Sequence, residues 1–204
     1  YSSVFRGSFS KNDPSGWFNY QAGIDLNKEI GKGEKIEGNR QEMGDYAAFV
    51  SMRFDPIKTA GGERIVLSLQ PGIRLIYNTR YASPLVYALS VKWSATQATG
   101  FRFSFSRGFR APSIKELYLS FVDFNHDIKG NPDLIAESSY NIGVNMNYNR
   151  ELGKIAVSTD LTGFYNLIDN VILLAQVAPN TASYTYRNIS RYKTTGVQFG
   201  TTLA

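Results

Sequence analysis

Apolar and polar residues alternate with a period of two along most of this chain, which makes strands with two unlike faces its building unit. From Phe18, the positions Tyr20, Ala22, Ile24 and Leu26 alternate with Asn19, Gln21, Gly23 and Asp25. Three further runs read the same way: Tyr46, Ala48, Val50, Met52 and Phe54; Leu85, Tyr87, Leu89, Val91 and Trp93; and Tyr140, Ile142, Val144, Met146 and Tyr148. Ile65 to Leu69 continues past Pro71-Gly72 into Ile73, Leu75 and Tyr77, while Phe101, Phe103 and Phe105 alternate with Arg102, Ser104 and Ser106. Ile155, Val157 and Leu161 alternate with Ala156, Ser158 and Asp160. With a first segment of ambiguous phase at Tyr1 to Ser10 and a weaker last one at Lys193 to Leu203, the pattern predicts about nine strands.

Length separates these strands from those of a sandwich. Several run about 10 to 14 residues, whereas globular strands average about 5–6 and membrane-crossing strands need about 9–11. In the core of the seven clear strands the apolar face carries no Asp, Glu, Lys or Arg, and the opposite face holds Asp25, Lys92, Arg102 and Asp160. An Arg or Lys on a lipid face costs about 2–4 kcal/mol at the bilayer midplane. The expectation is an all-β, antiparallel up-and-down segment of a transmembrane-type β-barrel, with about nine strands and not a complete barrel. Short turns near 11–16, 94–100 and 149–153 alternate with longer links at 27–44, 112–137 and 169–183, the asymmetry of outer-membrane barrels. The exceptions are 55–63, long for a tight turn, and the link near Tyr81 to Pro84, short for an outer loop. Trp17, Phe18, Phe54, Trp93 and Tyr148, near strand ends, are candidates for an interfacial girdle.

Composition narrows the chemistry. Across 204 residues there is no Cys and one His, so disulfides, zinc knuckles, iron–sulfur clusters, thiol nucleophiles and two-imidazole sites are all excluded. The formal net charge of +5 comes from scattered Lys and Arg, which disfavours a nucleic-acid face. No run of about 18 apolar residues exists for a membrane helix, and the first residues lack the order of a signal peptide. Enzymatic readings fare poorly. A carboxylate pair such as Asp25 and Asp160 could in principle act on a glycoside, but nothing in the sequence sets their separation.

Residues 107 to 140 break the alternation. Pro112 lacks a ladder donor and holds Ala111 extended, so the strand ends there. Ser113 with Glu116 forms a capping box, predicting a helical turn or two through Leu117 or Leu119. Gly130-Asn131-Pro132-Asp133 reads as a tight turn leading to the next strand. Asp123, Asp127 and Asp133 lack the order of a calcium loop, and Gly31-Lys32-Gly33 lacks the context of a phosphate loop.

Phe109-Arg110-Ala111-Pro112-Ser113, followed by Asn131-Pro132-Asp133-Leu134 and Glu137, resembles the paired "FRAP" and "NPxL" boxes of TonB-dependent outer-membrane receptors. Tyr165-Asn166, Tyr186-Arg187-Asn188 and Gly196-Val197 also resemble that family's barrel segments, so the similarity covers most of the chain. The resemblance implies a Gram-negative outer-membrane importer that is not an enzyme, with a barrel of about 22 strands closed by a separate plug domain and energised through TonB. Residues 1–204 are then expected to be part of the barrel domain, an internal piece without the plug, whose open sheet edges favour self-association. The cargo implied is a nutrient chelate such as an iron-siderophore or haem; haem enters as transported ligand, and no resident cofactor or metal is expected.

Two residues are candidate ligand contacts. In haem-uptake members a histidine between the two boxes resembles an iron ligand, and His126 lies in that interval; the bland alternative is a hydrated loop residue among Asp123, Asn125 and Asp127. Arg110 either faces an anionic ligand or plug, or pairs with Glu116 or Glu137 to hold the loop, the latter being the stronger expectation. The remaining box residues, Phe109, Ala111, Pro112, Ser113, Glu116, Asn131, Pro132, Asp133, Leu134 and Glu137, are expected to set loop shape. The alternative from another class is a soluble all-β module binding carbohydrate or another ligand, in which the apolar faces are covered by the chain itself.

Overall fold

Each stretch of alternation becomes a strand hydrogen-bonded to the next. A computed structural model describes residues 1–13, 16–59, 64–124, 127–179 and 181–204. Its elements are β1 (Ser2–Lys11), β2 (Phe18–Lys32), β3 (Arg40–Lys58), β4 (Ile65–Asn78), β5 (Val86–Trp93), β6 (Thr99–Arg110), a short helix α1 (Ile114–Tyr118), the three-residue strands β7 (Ser120–Val122) and β8 (Asp127–Lys129), then β9 (Glu137–Leu152), β10 (Ile155–Gln176) and β11 (Ser183–Leu203). They form one open sheet in the order β1-β2-β3-β4-β5-β6-β9-β10-β11-β8-β7. The nine long strands are those the alternation picks out, each antiparallel to its neighbour. β7 and β8 belong to the segment where the alternation breaks, and β8 runs parallel to the start of β11.

The strands are longer than the alternation. β10 has 22 residues and β11 has 21, so most of the links read at 27–44 and 169–183 are ladder, and the connections shrink to 33–39 and 177–182. Backbone pairing satisfies donors and acceptors whatever the side chains, so a ladder continues where both faces are wet and the two-residue pattern has faded. β3 likewise continues to Lys58, with irregular register between Phe54 and Ile57. The β9–β10 connection tightens to Gly153-Lys154, where Gly153 takes φ +68, a backbone region that costs a residue without Cβ little.

The two faces differ as the sequence predicts. In-register rows such as Ala22, Val50 and Ile73, or Phe105, Ile142 and Tyr165, share the outward face. Among the described residues no second layer covers this face: Tyr77 is 66% exposed, Val197 78% and Phe199 67%. Rings collect at both ends of this apolar band. Trp17, Phe18 and Phe54 cluster at centroid distances of 5.0 to 6.3 Å, and Trp93 stacks on Phe101. At the other end Tyr46 stacks on Tyr77, and Phe105 on Tyr140. From Phe18 to Lys28 a strand rises about 34 Å, or about 25 Å of height at a tilt of about 40°, the height of the apolar band in membrane barrels. The inward face of the long strands is mainly small or hydrogen-bonding, with Asn145 donating to Thr162 at 2.7 Å and Asn166 to Thr194 at 3.2 Å.

Candidate functional site

The buried apolar core sits at one end of the sheet, where residues 111–136 fold back over the inward face. Pro112 and Leu117 are fully buried, and Ile114, Tyr118 and Leu134 join Leu117 in one cluster. The wall contributes Met43 from β3 and Ile172 from β10. Ile36, Tyr81 and Tyr186 pack around them. The insert therefore spans from the β2–β3 side of the wall to the β10–β11 side.

Its start is fixed by charge. Arg110 ends β6 in register with Glu137, the first residue of β9. Its guanidinium grips Glu137 through Nε at 2.8 Å and Nη2 at 2.5 Å, and Nη1 donates to both oxygens of Glu116 at 3.0 and 3.1 Å. Glu116 closes the capping box of α1 as well: it accepts from the Ser113 N–H at 2.8 Å while its own N–H donates to Ser113 Oγ at 3.3 Å. Glu137 also accepts from the Ile172 N–H at 2.8 Å, which ties the cluster to β10. Arg110 beside it holds the Glu137 carboxyl below the usual carboxylate range, the Ile172 N–H helps, and partial burial opposes them. The same hydrogen bonds raise the Arg110 guanidinium, which stays charged.

Arg110 thus meets Glu116 and Glu137 together.

The second box fastens the end of the insert. Asn131 accepts from the Asp133 N–H at 3.0 Å, making the turn, and donates through Nδ2 to the Tyr186 carbonyl at 2.9 Å. Asn188 exchanges two bonds with the backbone of Ile135, and the Tyr81 hydroxyl donates to the Leu134 carbonyl at 3.0 Å. Pro132 and Asp133 are exposed, Leu134 is buried, and Phe109 and Ala111 are half-buried. Gly130 passes so close to the helix end that a Cβ would lie 2.5 Å from the Leu117 carbonyl carbon and the Tyr118 nitrogen. Only glycine fits that approach.

The far side is stitched to the β2–β3 turn. Ile36 bridges Leu119, the Ser120 N–H donates to the Lys35 carbonyl at 2.8 Å, and Lys35 lies 4.3 Å from the Phe121 ring centroid. At the end of β7 Val122 is 62% exposed, and Phe124 just past it is fully exposed. His126 lies outside the described residues.

The sequence reading placed Asp25, Lys92 and Arg102 on the inward face but did not find their partners. Asp25, only 7% exposed, is shared by Arg6 from β1 and Arg74 from β4, each at 2.5 Å. It is thus committed to two arginines instead of forming a carboxylate pair with Asp160. Arg53 pairs with Asp55 at 3.1 Å, whereas Lys92 and Arg102 face each other in register and line a cleft of about 200 Å³ with Ser68, Gln70 and Ser90. Among the described residues no group of three or more His, Asp or Glu side chains is placed to hold a metal ion.

An open antiparallel wall with an uncovered apolar band, a hydrogen-bonding inner surface and a folded insert at one mouth defines a membrane β-barrel receptor class. The chain belongs to the TonB-dependent receptors: the family described as "TonB dependent receptor-like, beta-barrel" matches residues 2–204. This is a family of outer-membrane transporters, not enzymes. No curated protein matches the chain. Among solved structures, the siderophore receptor PirA from Pseudomonas aeruginosa superposes with a TM-score of 0.74 at 18% identity, over 97% of this chain and 36% of that one. A mutant of the ferric enterobactin receptor PfeA from the same organism, in complex with enterobactin, gives 0.74 at 16% identity, over 97% and 33%. The hemophore receptor HasR of Serratia marcescens, in complex with its hemophore HasA and heme, gives 0.71 at 15% identity, over 100% and 39%. The chain therefore spans about a third of the length of the receptors it resembles.

Proposed function

We propose that this chain forms part of the barrel wall of an outer-membrane importer that takes up an iron chelate, siderophore or haem, through a lumen closed by a plug domain and energised by TonB. The observation that carries the reading is the pairing of a lipid-height apolar band with a polar, hydrogen-bonding inner wall, capped at one mouth by the insert. A wall of Asn, Ser, Thr and Gln offers a large polar chelate many weak contacts, none strong enough to trap it. No covalent step is involved.

In this reading Arg110, Glu116 and Glu137 hold the insert in shape, and the residues that meet cargo lie further along it. In this reading His126, which follows the exposed Phe124 in sequence, is the capture residue, with imidazole as the iron donor if haem is the cargo. The full-length receptor tests this directly: cells relying on it should grow on haem or a ferric siderophore as sole iron source, and lose that growth without TonB. A haem titration followed by its absorption band should weaken in His126→Ala. Unchanged haem affinity would remove the iron-ligand role of His126.

The open edges of β1 and of β11 past its pairing with β8 expose unpaired ladder groups. Copies of residues 1–204 alone should associate edge to edge, detectable by light scattering in detergent.

A further inference from the structure

Inward arginines on the long strands come with a carboxylate: Arg6 and Arg74 share Asp25, Arg53 has Asp55, and Arg110 has Glu116 and Glu137. Arg102 breaks this habit, and so does the cation opposite it. Lys92 on β5 and Arg102 on β6 face each other in register with both side chains exposed, and among the described residues neither meets a carboxylate. Asp55 is already taken by Arg53, and Asp160 stands two strands away on β10, one inward step nearer the turns.

The wall is hollowed on both sides of Lys92. One cleft of about 200 Å³ holds Lys92 and Arg102 together with Ser68, Gln70 and Ser90. A second, of about 180 Å³, shares Lys92 and reaches the short turn at Thr96 and Ala98, with Arg64 and Asn147 on its sides. Eight residues of β6, about 27 Å of strand, separate Arg102 from Arg110 at the insert, so both hollows lie toward the opposite mouth. Like charges set directly opposite destabilise a sheet, and a cleft lined by one sign of charge draws counter-ions. At about 200 Å³ the first cleft is smaller than the about 300–1,000 Å³ that encloses a whole ligand, and it suits one charged arm of a larger one.

We propose that Lys92 and Arg102 form an anion way station in the passage. As the chelate nears the short-turn mouth, one carboxylate or phenolate arm seats between the two cations, then moves past Lys92 into the second hollow. The arm relieves the repulsion within the pair, while Ser68, Gln70 and Ser90 add neutral hydrogen bonds too weak to trap it. This deepens the importer reading and rests on it: the cargo carries exposed negative charge, and the cleft stands empty between passages.

The first test titrates the full-length receptor in micelles with denaturant, in malonate, a small dianion, and in chloride at matched ionic strength. Malonate should raise the unfolding midpoint of the parent and leave that of Lys92→Ser with Arg102→Ser unmoved. The second follows uptake by cells of haem or a ferric tricatecholate, whichever supports growth. The double Ser variant should lose about tenfold in maximal rate, the worth of one charge-assisted hydrogen bond. Its half-saturation concentration should stay within about twofold, because capture lies at the other mouth. Lys92→Arg with Arg102→Lys keeps both charges and should import within about threefold of the parent. Absence of a malonate effect in the parent, an equal effect in the double Ser variant, or an unchanged maximal rate would overturn the way station. A receptor that imports neither chelate loses the importer reading, while the malonate comparison still decides whether the cleft takes an anion.

Discussion

Two regions hold the same kinds of apolar side chain and treat them in opposite ways. In the insert, Leu117 has no exposure and is enclosed by Ile114, Tyr118, Leu134, Met43 and Ile172. On the outward wall, Ile73 is 46% exposed and Val144 51%, with only strand neighbours beside them. A leucine enclosed by its own chain contributes to folding in water, whereas one on the band contributes by meeting a second solvent. Leu117→Ala should therefore cost about 2–5 kcal/mol of insert stability, because the cavity cannot collapse against a fixed wall. Hydrogen exchange over 111–136 in the lipid-embedded receptor reads this. Ile73→Ala, by contrast, leaves a gap that lipid fills, and its effect on the same measurement should be close to nil.

Charge sharpens the contrast at slightly smaller scale. Ile73 sits midway between the Phe18–Phe54 and Tyr46–Tyr77 levels, and Ile73→Arg should cost about 2–4 kcal/mol of folding into bilayers. Ser51→Arg, one register step away on the inward face, should cost little. Refolding into vesicles measures both; similar penalties would mean that the two faces do not see different solvents.

The wall was legible because its physics is local and periodic. Nine runs of alternation gave the nine long strands, and Ser113 with Glu116 gave the helix start. What the period of two does not encode is which strands a loop reaches. Asn131 bonding Tyr186, Asn188 bonding Ile135, and β8 pairing with β11 are contacts across 53 residues or more. One signal was available: Met43, Ala47 and Ile172 are apolar residues on the otherwise wet face, and all three are buried. An apolar residue out of phase marks where something packs on the wall. The partners of Asp25 had no such mark, since Arg6 and Arg74 come from strands on either side of β2 and β3.

Acid should separate the two regions again. Glu137 is held below its ordinary range by Arg110, and Glu42 is lowered from 4.5 to about 2, chiefly by Arg40 and then Lys28. A depressed carboxylate stabilises above its unfolded value and loses that contribution as pH falls through its folded one. The β2–β3 outer ends should thus hold at pH 5 and loosen between about 4.5 and 2, the insert clasp should loosen only as pH falls below the ordinary carboxylate range, and the outward band, without carboxylates, should stay protected. Amide exchange across that window checks it, and loosening at pH 6 would contradict the pairing.

The smallest effect comes from a place where the inner wall opposes itself. Lys92 and Arg102 are directly opposite on β5 and β6, and like charges in that position are destabilising. Elsewhere on this wall the arginines have a carboxylate, as Arg6 and Arg74 have Asp25. Lys92→Ser should therefore stabilise the barrel by about 0.2–1 kcal/mol at low salt, and the gain should shrink as salt screens the pair. Denaturant titration of the receptor in micelles at two salt concentrations resolves the sign. Destabilisation instead would mean that an anionic group within the assembled lumen already neutralises the two cations.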